Sequence, residues 1–181
     1  MLAVAAVILI YEWWGLIRGR RYRLVWLIFG LFYIGLGIAS LAALHFFSGA
    51  ETVLLLLLSV AVMDSAAYFV GKPFGAHKIV PSISPGKSWE GLIGAWIAVT
   101  LLFACLTLFW HMPVTLAFVP FVALLFTLLG LGGDLFESWM KRRAGVKDSG
   151  RLIPGHGGLF DRVDALIPCA MLAALPQVFS L

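Results

Sequence analysis

Between Gly133 and Asp164 the sequence reads GDLFESWMKRRAGVKDSGRLIPGHGGLFDRVD. Five of the chain's nine acidic residues fall in this stretch: Asp134, Glu137, Asp148, Asp161 and Asp164. Lys141, Arg142, Arg143, Lys147, Arg151, His156 and Arg162 lie among them. Acidic side chains beside basic ones on a Gly-rich segment are what metal-dependent phosphoryl or nucleotidyl transfer needs. Carboxylates hold a hard cation, the cation bridges phosphate oxygens, and Lys and Arg neutralise the remaining charge. Oxygen ligands of this kind point to Mg²⁺ or a similar ion rather than zinc, with a second cation left open. A phosphate substrate is already anionic at neutral pH, so no Ser–His–Asp triad is required. His156 is therefore expected to contact phosphate or loop rather than to act as a general base.

Asp134, Glu137 and Lys141 recur at helical spacing and can share one face, with Ser138 beside them. An exposed helix end carrying an ion pair would look the same. Lys147-Asp148-Ser149-Gly150 reads as a turn. Pro154-Gly155-His156-Gly157-Gly158 reads as a tight loop that exposes backbone, which brings Ser149, Gly157 and Gly158 into the candidate substrate-binding set. Asp161 and Asp164 are three apart at the start of the last helix and project together. Helix capping alone would account for Asp161.

A second cluster, MDSAAYFVGKPFGAHKIVPSISPGKSWEG, runs from Met63 to Gly91. Asp64 falls within an apolar run, where an acid is costly unless it is paired, hydrated or metal-bound, so a functional role is the default reading. The competing reading is a structural partner for a loop lysine. Lys72, Lys78 and Lys87 could bind phosphates; they also suit attraction to anionic headgroups. Ser82, Ser84 and Ser88 with Gly86 suit a hydroxyl and backbone cradle for phosphate oxygens. The PGKSW stretch is not a P-loop, because the required upstream glycine is replaced by Pro81.

Something must hold these residues at a membrane. The 181 residues are 62% hydrophobic and only 12% charged, where a soluble domain is roughly half apolar and a quarter charged. The long apolar runs predict an all-α, polytopic integral membrane protein of one domain, not a barrel. Six segments can be drawn, at about 1–17, 24–47, 52–70, 91–110, 113–133 and 163–181, each near the ~20 residues that span the hydrocarbon core. The first is short and carries Glu12; the last contains Pro168 and Pro176. Met1 to Ile10 lacks a basic start and a cleavage site, so no removable signal peptide is expected. Cys105 and Cys169 lie in apolar runs and read as small core residues.

The 13 Lys and Arg residues fall in three loops on one face of the six-span arrangement. The positive-inside rule makes that face cytoplasmic. The net charge of +4 is thus a topology signal and does not suggest nucleic acid. Two long loops, 71–90 and 134–162, would share the cytoplasmic face and could build one site.

The residues resemble the phosphatidate cytidylyltransferase (CDP-diacylglycerol synthase) family. Its C-terminal signature is matched by Ser138, Lys141-Arg142, Lys147-Asp148-Ser149-Gly150, Pro154 to Gly158, and Asp161-Arg162-Val163-Asp164. Upstream, Asp64 to Tyr68, Phe74-Gly75, His77-Lys78 and Ser84 to Gly91 are also similar, and Glu12-Trp13 resembles an early family feature. The resemblance implies an enzyme that joins CTP to phosphatidic acid, giving CDP-diacylglycerol and pyrophosphate. It further implies Mg²⁺, a membrane-embedded homodimer and, for this chain, the bacterial inner membrane. By matching motif, Asp148 and Asp164 are the expected metal ligands, with Asp134 or Asp161 assisting. Lys78, Lys87, Lys141, Arg142, Lys147 and Arg162 are the expected phosphate contacts. Ala76 stands where the family usually has a polar residue. The chain is also short for the family, whose members carry further N-terminal spans, so it is expected to be a compact or truncated member. A CTP-using kinase of a lipid alcohol is the second enzyme reading; it would need a base, and His156 would gain importance. A transporter or structural subunit with Asp64 on an ion path is the non-enzyme reading.

Overall fold

The computed structural model describes residues 2–19, 21–110, 112, 114–150 and 157–179. Helix α1 spans Leu2–Ile17 and α2 spans Arg23–Phe74. A two-stranded sheet follows, β1 (Lys78–Val80) and β2 (Ser84–Ser88), and then α3 (Trp89–Phe109). A 3₁₀ turn at Leu116–Phe118 leads into α4 (Val119–Ala144). The short α5 (Phe160–Val163) and the final α6 (Leu166–Phe179) complete the order. Among the described residues, α2, α3 and Leu116–Ala144 are long and apolar enough to cross a membrane; α1 and Leu166–Pro176 are shorter apolar helices.

The 52 residues of α2 would reach about 78 Å if straight, far beyond the ~30 Å hydrocarbon core. The helix breaks at Gly49, whose φ of 84° and ψ of 170° lie where only glycine sits without strain. Before the break, Gly37 lies against Ile167 of α6; beyond it, Met63 and Cys169 both lie against Gly130. On a straight helix residues 37 and 63 would stand about 39 Å apart. The two arms therefore bend back toward each other at Gly49, with α6 against both. The break falls inside the turn expected at 48–51.

The expected all-α architecture holds, but 71–90 is not bare loop: it contains the antiparallel β1–β2 pair, in which Lys78 is opposite Ser88 and Val80 opposite Ser84. The three residues of β1 lie opposite the five of β2, so the ladder is irregular between Lys78 and Val80, across from the stretch that carries Pro85 and Gly86. Nor is 134–162 a loop throughout, since α4 continues to Ala144. Its last turns keep an apolar face: Met140 is fully buried, and Phe136 and Ala144 pack with Trp13 of α1 in one cluster. Gly145, at φ 70°, then closes the helix by donating its N–H to the Arg142 and Lys141 carbonyls. Lys141, Arg142 and Arg143 in that last turn complement the negative end of the helix.

The larger core joins α2, α3, α4 and α6 through Met63, Val99, Phe126 and Cys169. Gly133 matters most to the site. A Cβ there would strike the Asp164 carbonyl oxygen and the Pro168 ring. Gly133→Ala should therefore push α4 away from Asp164 and destabilise the fold by about 1–3 kcal/mol. Thermal unfolding in detergent would read this as a lower midpoint, and an unchanged midpoint would refute it.

Candidate active site

A cavity of about 430 Å³ opens between α2, β2, α3, α4 and the α5–α6 junction. Its carboxylates come from three elements. Asp64 extends from the second arm of α2, Asp134 and Glu137 from α4, and Asp161 and Asp164 from α5 and its C-terminal edge. Its cations are Lys87 from β2 and Lys141 from α4. Ser84, Gly86, Ser88 and Ser138 complete the polar lining. The cavity floor is apolar, formed in part by Met63, Ala95 and Leu131.

Lys87 forms an ion pair with Asp134, with both side chains mostly shielded from solvent. Burial works against the Lys87 charge, but Asp134, Asp64 and Asp164 outweigh it, so its pKa is raised above the ordinary lysine value. The Asp134 charge acts on both Asp64 and Asp164, so the three acids share one electrostatic neighbourhood with Lys87.

Deeper toward α5, Lys141 Nζ donates to Glu137 Oε2 at 2.7 Å and to Asp161 Oδ1 at 2.7 Å. The Glu137 side chain is fully buried, and its Oε1 receives no donor. The other Asp161 oxygen accepts from the Ser149 N–H at 2.9 Å, the Ser149 hydroxyl at 2.9 Å and the Gly158 N–H at 2.8 Å. Burial opposes ionisation of Asp161, but hydrogen bonds with Glu137 and Lys141 and from these amides prevail. They hold its carboxyl well below the usual carboxylate range. Both Asp161 oxygens are thus already engaged, whereas the Asp64–Asp134–Asp164 group faces the open cavity.

The sequence-predicted residues divide into three groups. Asp64, Ser84, Lys87, Ser88, Asp134, Ser138, Lys141, Asp161 and Asp164 converge on the cavity. Lys147, Asp148 and Ser149 instead line a second cavity of about 990 Å³ with Tyr11, Glu12 and Arg18 of the N-terminal region. Lys78, Ser82 and Arg162 are exposed and outside both linings, and His156 lies outside the described residues. Several members have local duties. The Ser88 hydroxyl caps α3 by accepting from the Gly91 N–H at 3.2 Å. Arg142 Nε donates to the Ile83 carbonyl at the tip of the hairpin, at 3.4 Å. Gly158 supplies an amide to Asp161. Gly157 takes a left-handed φ of 81° between Asp148 and Asp161, where a Cβ would come within 2.7 Å of Asp161 Oδ2.

Two residues were missed as site candidates. Glu137 lines the cavity and shares Lys141 with Asp161. Glu12, only 3% exposed, reaches from α1 to the Ser149 hydroxyl and to the amides of Leu159 and Phe160. An acid within an apolar helix was the available signal.

The model of the cytidylyltransferase family matches residues 1–179. The chain is 41% identical over 183 aligned residues to the phosphatidate cytidylyltransferase of Brucella suis, covering 97% of this chain and 63% of that protein. It is 44% identical over 139 residues to the enzyme of the same name from Mycobacterium leprae, covering 75% and 44%. For the one from Haemophilus influenzae the identity is 42% over 140 residues, covering 72% and 48%. The chain therefore spans about three-fifths or less of the length of these relatives. The match along nearly its whole sequence establishes that the chain belongs to the cytidylyltransferase family.

Proposed function

We propose that this chain transfers the cytidylyl group of CTP to phosphatidic acid, giving CDP-diacylglycerol and pyrophosphate. The observation that carries this reading is the convergence of Asp64, Asp134 and Asp164 with Lys87 and Lys141 on one cavity, in a chain similar to enzymes named phosphatidate cytidylyltransferase. A phosphatidate oxygen attacks the α-phosphorus of CTP; that P–O bond forms as the bond to the β-phosphate oxygen breaks. Lys87 and Lys141 face the cavity as charge-assisted donors for phosphate oxygens. Ser138 and the Gly86 backbone add uncharged contacts.

The donor set fits Mg²⁺. Among the described residues no three ligating side chains are close enough to enclose an ion by themselves. Mg²⁺ usually binds through one or two carboxylates, with substrate phosphates and water completing its shell. Asp134 and Asp164, in mutual contact, would hold it, with Asp64 beside them. When bound, the ion supplies charge neutralisation and alignment of the phosphate oxygens. Asp161, with both oxygens engaged, orients Lys141 rather than joining that set.

The basic clusters support six spans with the cavity on the cytoplasmic side; the family resemblance adds a bacterial inner membrane and a homodimer. The test is reconstitution in phosphatidate-containing vesicles with CTP and Mg²⁺. CDP-diacylglycerol should appear with stoichiometric pyrophosphate. Its absence under conditions where the Brucella relative turns over would overturn the proposal for this chain. A phosphorylated lipid alcohol as product would favour the kinase reading instead.

A further inference from the structure

We propose that Glu12 is a positioning residue, tying the N-terminal helix to the cavity through the segment that carries Ser149 and α5. The inference rests on the transferase reading for its consequence, but its geometry stands apart from it. Glu12 lies in α1, between the apolar Leu9 and the core residues Trp13 and Leu16. Among the described residues its hydrogen bonds come from backbone amides and a hydroxyl. Its Oε1 accepts from the Leu159 N–H at 2.9 Å. Its Oε2 accepts from the Phe160 N–H at 2.7 Å and from the Ser149 hydroxyl at 3.2 Å. One carboxyl thus satisfies the amides that open α5, which has no side-chain cap of its own.

The surrounding backbone is shaped to admit this carboxyl. A Cβ on Gly150 would come within 2.5 Å of Glu12 Oε1, and one on Gly158 would meet the same oxygen at 2.5 Å. Trp13, the next residue, fixes the register of α1. Its indole N–H donates to the Trp26 carbonyl at 2.9 Å, and its ring packs edge-on against Phe160 at 5.8 Å. Glu12 and Trp13 therefore hold the same turn, one by hydrogen bonds and one by packing.

The link continues into the cavity. The Ser149 hydroxyl lies between Glu12 and Asp161 and shares its one proton between them, and Asp161 holds Lys141. A change at Glu12 reaches the phosphate-facing lysine through this chain of contacts and through the α5 backbone that carries Asp161. It should therefore lower turnover without much change in nucleotide affinity, because Lys87 and Asp134 are anchored to each other on β2 and α4.

The test uses the full chain in lipid nanodiscs, with wild type, Glu12→Gln and Ser149→Ala compared by amide exchange and by steady-state turnover of CTP and phosphatidate. In Glu12→Gln the Leu159 and Phe160 amides should exchange at least tenfold faster while α2 and α3 keep their protection. Its kcat should fall about 10–100-fold, as for other groups that orient a ligand, with KM for CTP within about twofold. Ser149→Ala, which deletes only the shared hydroxyl, should show a smaller loss of the same kind. Unchanged exchange at those amides overturns the proposal. So does loss of protection spread through all helices, or faster local exchange with kcat unaltered. If Glu12→Gln does not fold, Ser149→Ala is judged by the same criteria. A wild-type chain without turnover would count against the transferase reading alone, since the amide exchange still decides whether Glu12 holds the segment.

Discussion

Asp134→Asn and Asp164→Asn are each expected to cut CDP-diacylglycerol formation by the reconstituted chain on the order of 10²–10³-fold. Asp148→Asn should cost only about tenfold. The contrast follows from placement. Asp134 acts on both Asp164 and Asp64 in the cavity that also holds Lys87. Asparagine preserves size but supplies a weaker, neutral oxygen, so either replacement removes a negative ligand where phosphate-bound cation chemistry would need it. Asp148 is exposed and belongs to the second cavity, beyond Gly157. The measurement is kcat at saturating CTP, with Mg²⁺ titrated in parallel. The Asp134 and Asp164 variants should need more Mg²⁺ for half-maximal rate, while the Asp148 variant should not. Equal losses at all three positions would mean that the two cavities act as one metal site.

That contrast also marks what could be read from the sequence. The apolar segments were legible, because each must bury a length of backbone in lipid, and the turn at Ser48–Glu51 contains the Gly49 at which α2 bends. The shared face of Asp134, Glu137 and Lys141 was legible from helical spacing, and the structure places all three on the cavity. The β1–β2 pair was not. Its strands are short, Pro81 and Pro85 mark loop, and no alternation of apolar residues announces a ladder. Pairing there depends on tertiary anchors, including the His77 amide and ring held by Glu90, with the ring contact at 2.6 Å. The motif put Asp148 ahead of Asp161 as a metal ligand, since spacing carries no direction once the chain turns at a left-handed glycine. Only the folded arrangement separates the one facing α1's cavity from the one clamped by Lys141. Glu12 was legible as an anomaly, though its partners lie more than 130 residues away in sequence.

Lys87→Met should be the most damaging change outside the acids, lowering kcat/KM for CTP on the order of 10²–10³-fold. Among the described residues Lys87 alone ion-pairs the β1–β2 hairpin to the cavity carboxylates, through Asp134; a further hairpin contact with α4, Arg142 to the Ile83 carbonyl, is exposed and long. Removing the ammonium leaves Asp134 uncompensated beside Asp64 and Asp164, and breaking one side of a shielded pair costs more than never having formed it. Lys87→Arg keeps the charge but replaces a compact ammonium with a planar fork, so it should recover only part of the loss. The pH dependence gives an independent check. With its folded-state pKa above the ordinary lysine value of about 10.4, Lys87 contributes its stabilisation fully below that value and loses it only as pH rises beyond it. The kcat profile over roughly pH 6 to 9 should therefore keep its shape in Lys87→Met while its height falls. A limb that disappears in the variant would show that Lys87 exchanges its proton during turnover, and its role would then be acid–base chemistry rather than fixed charge.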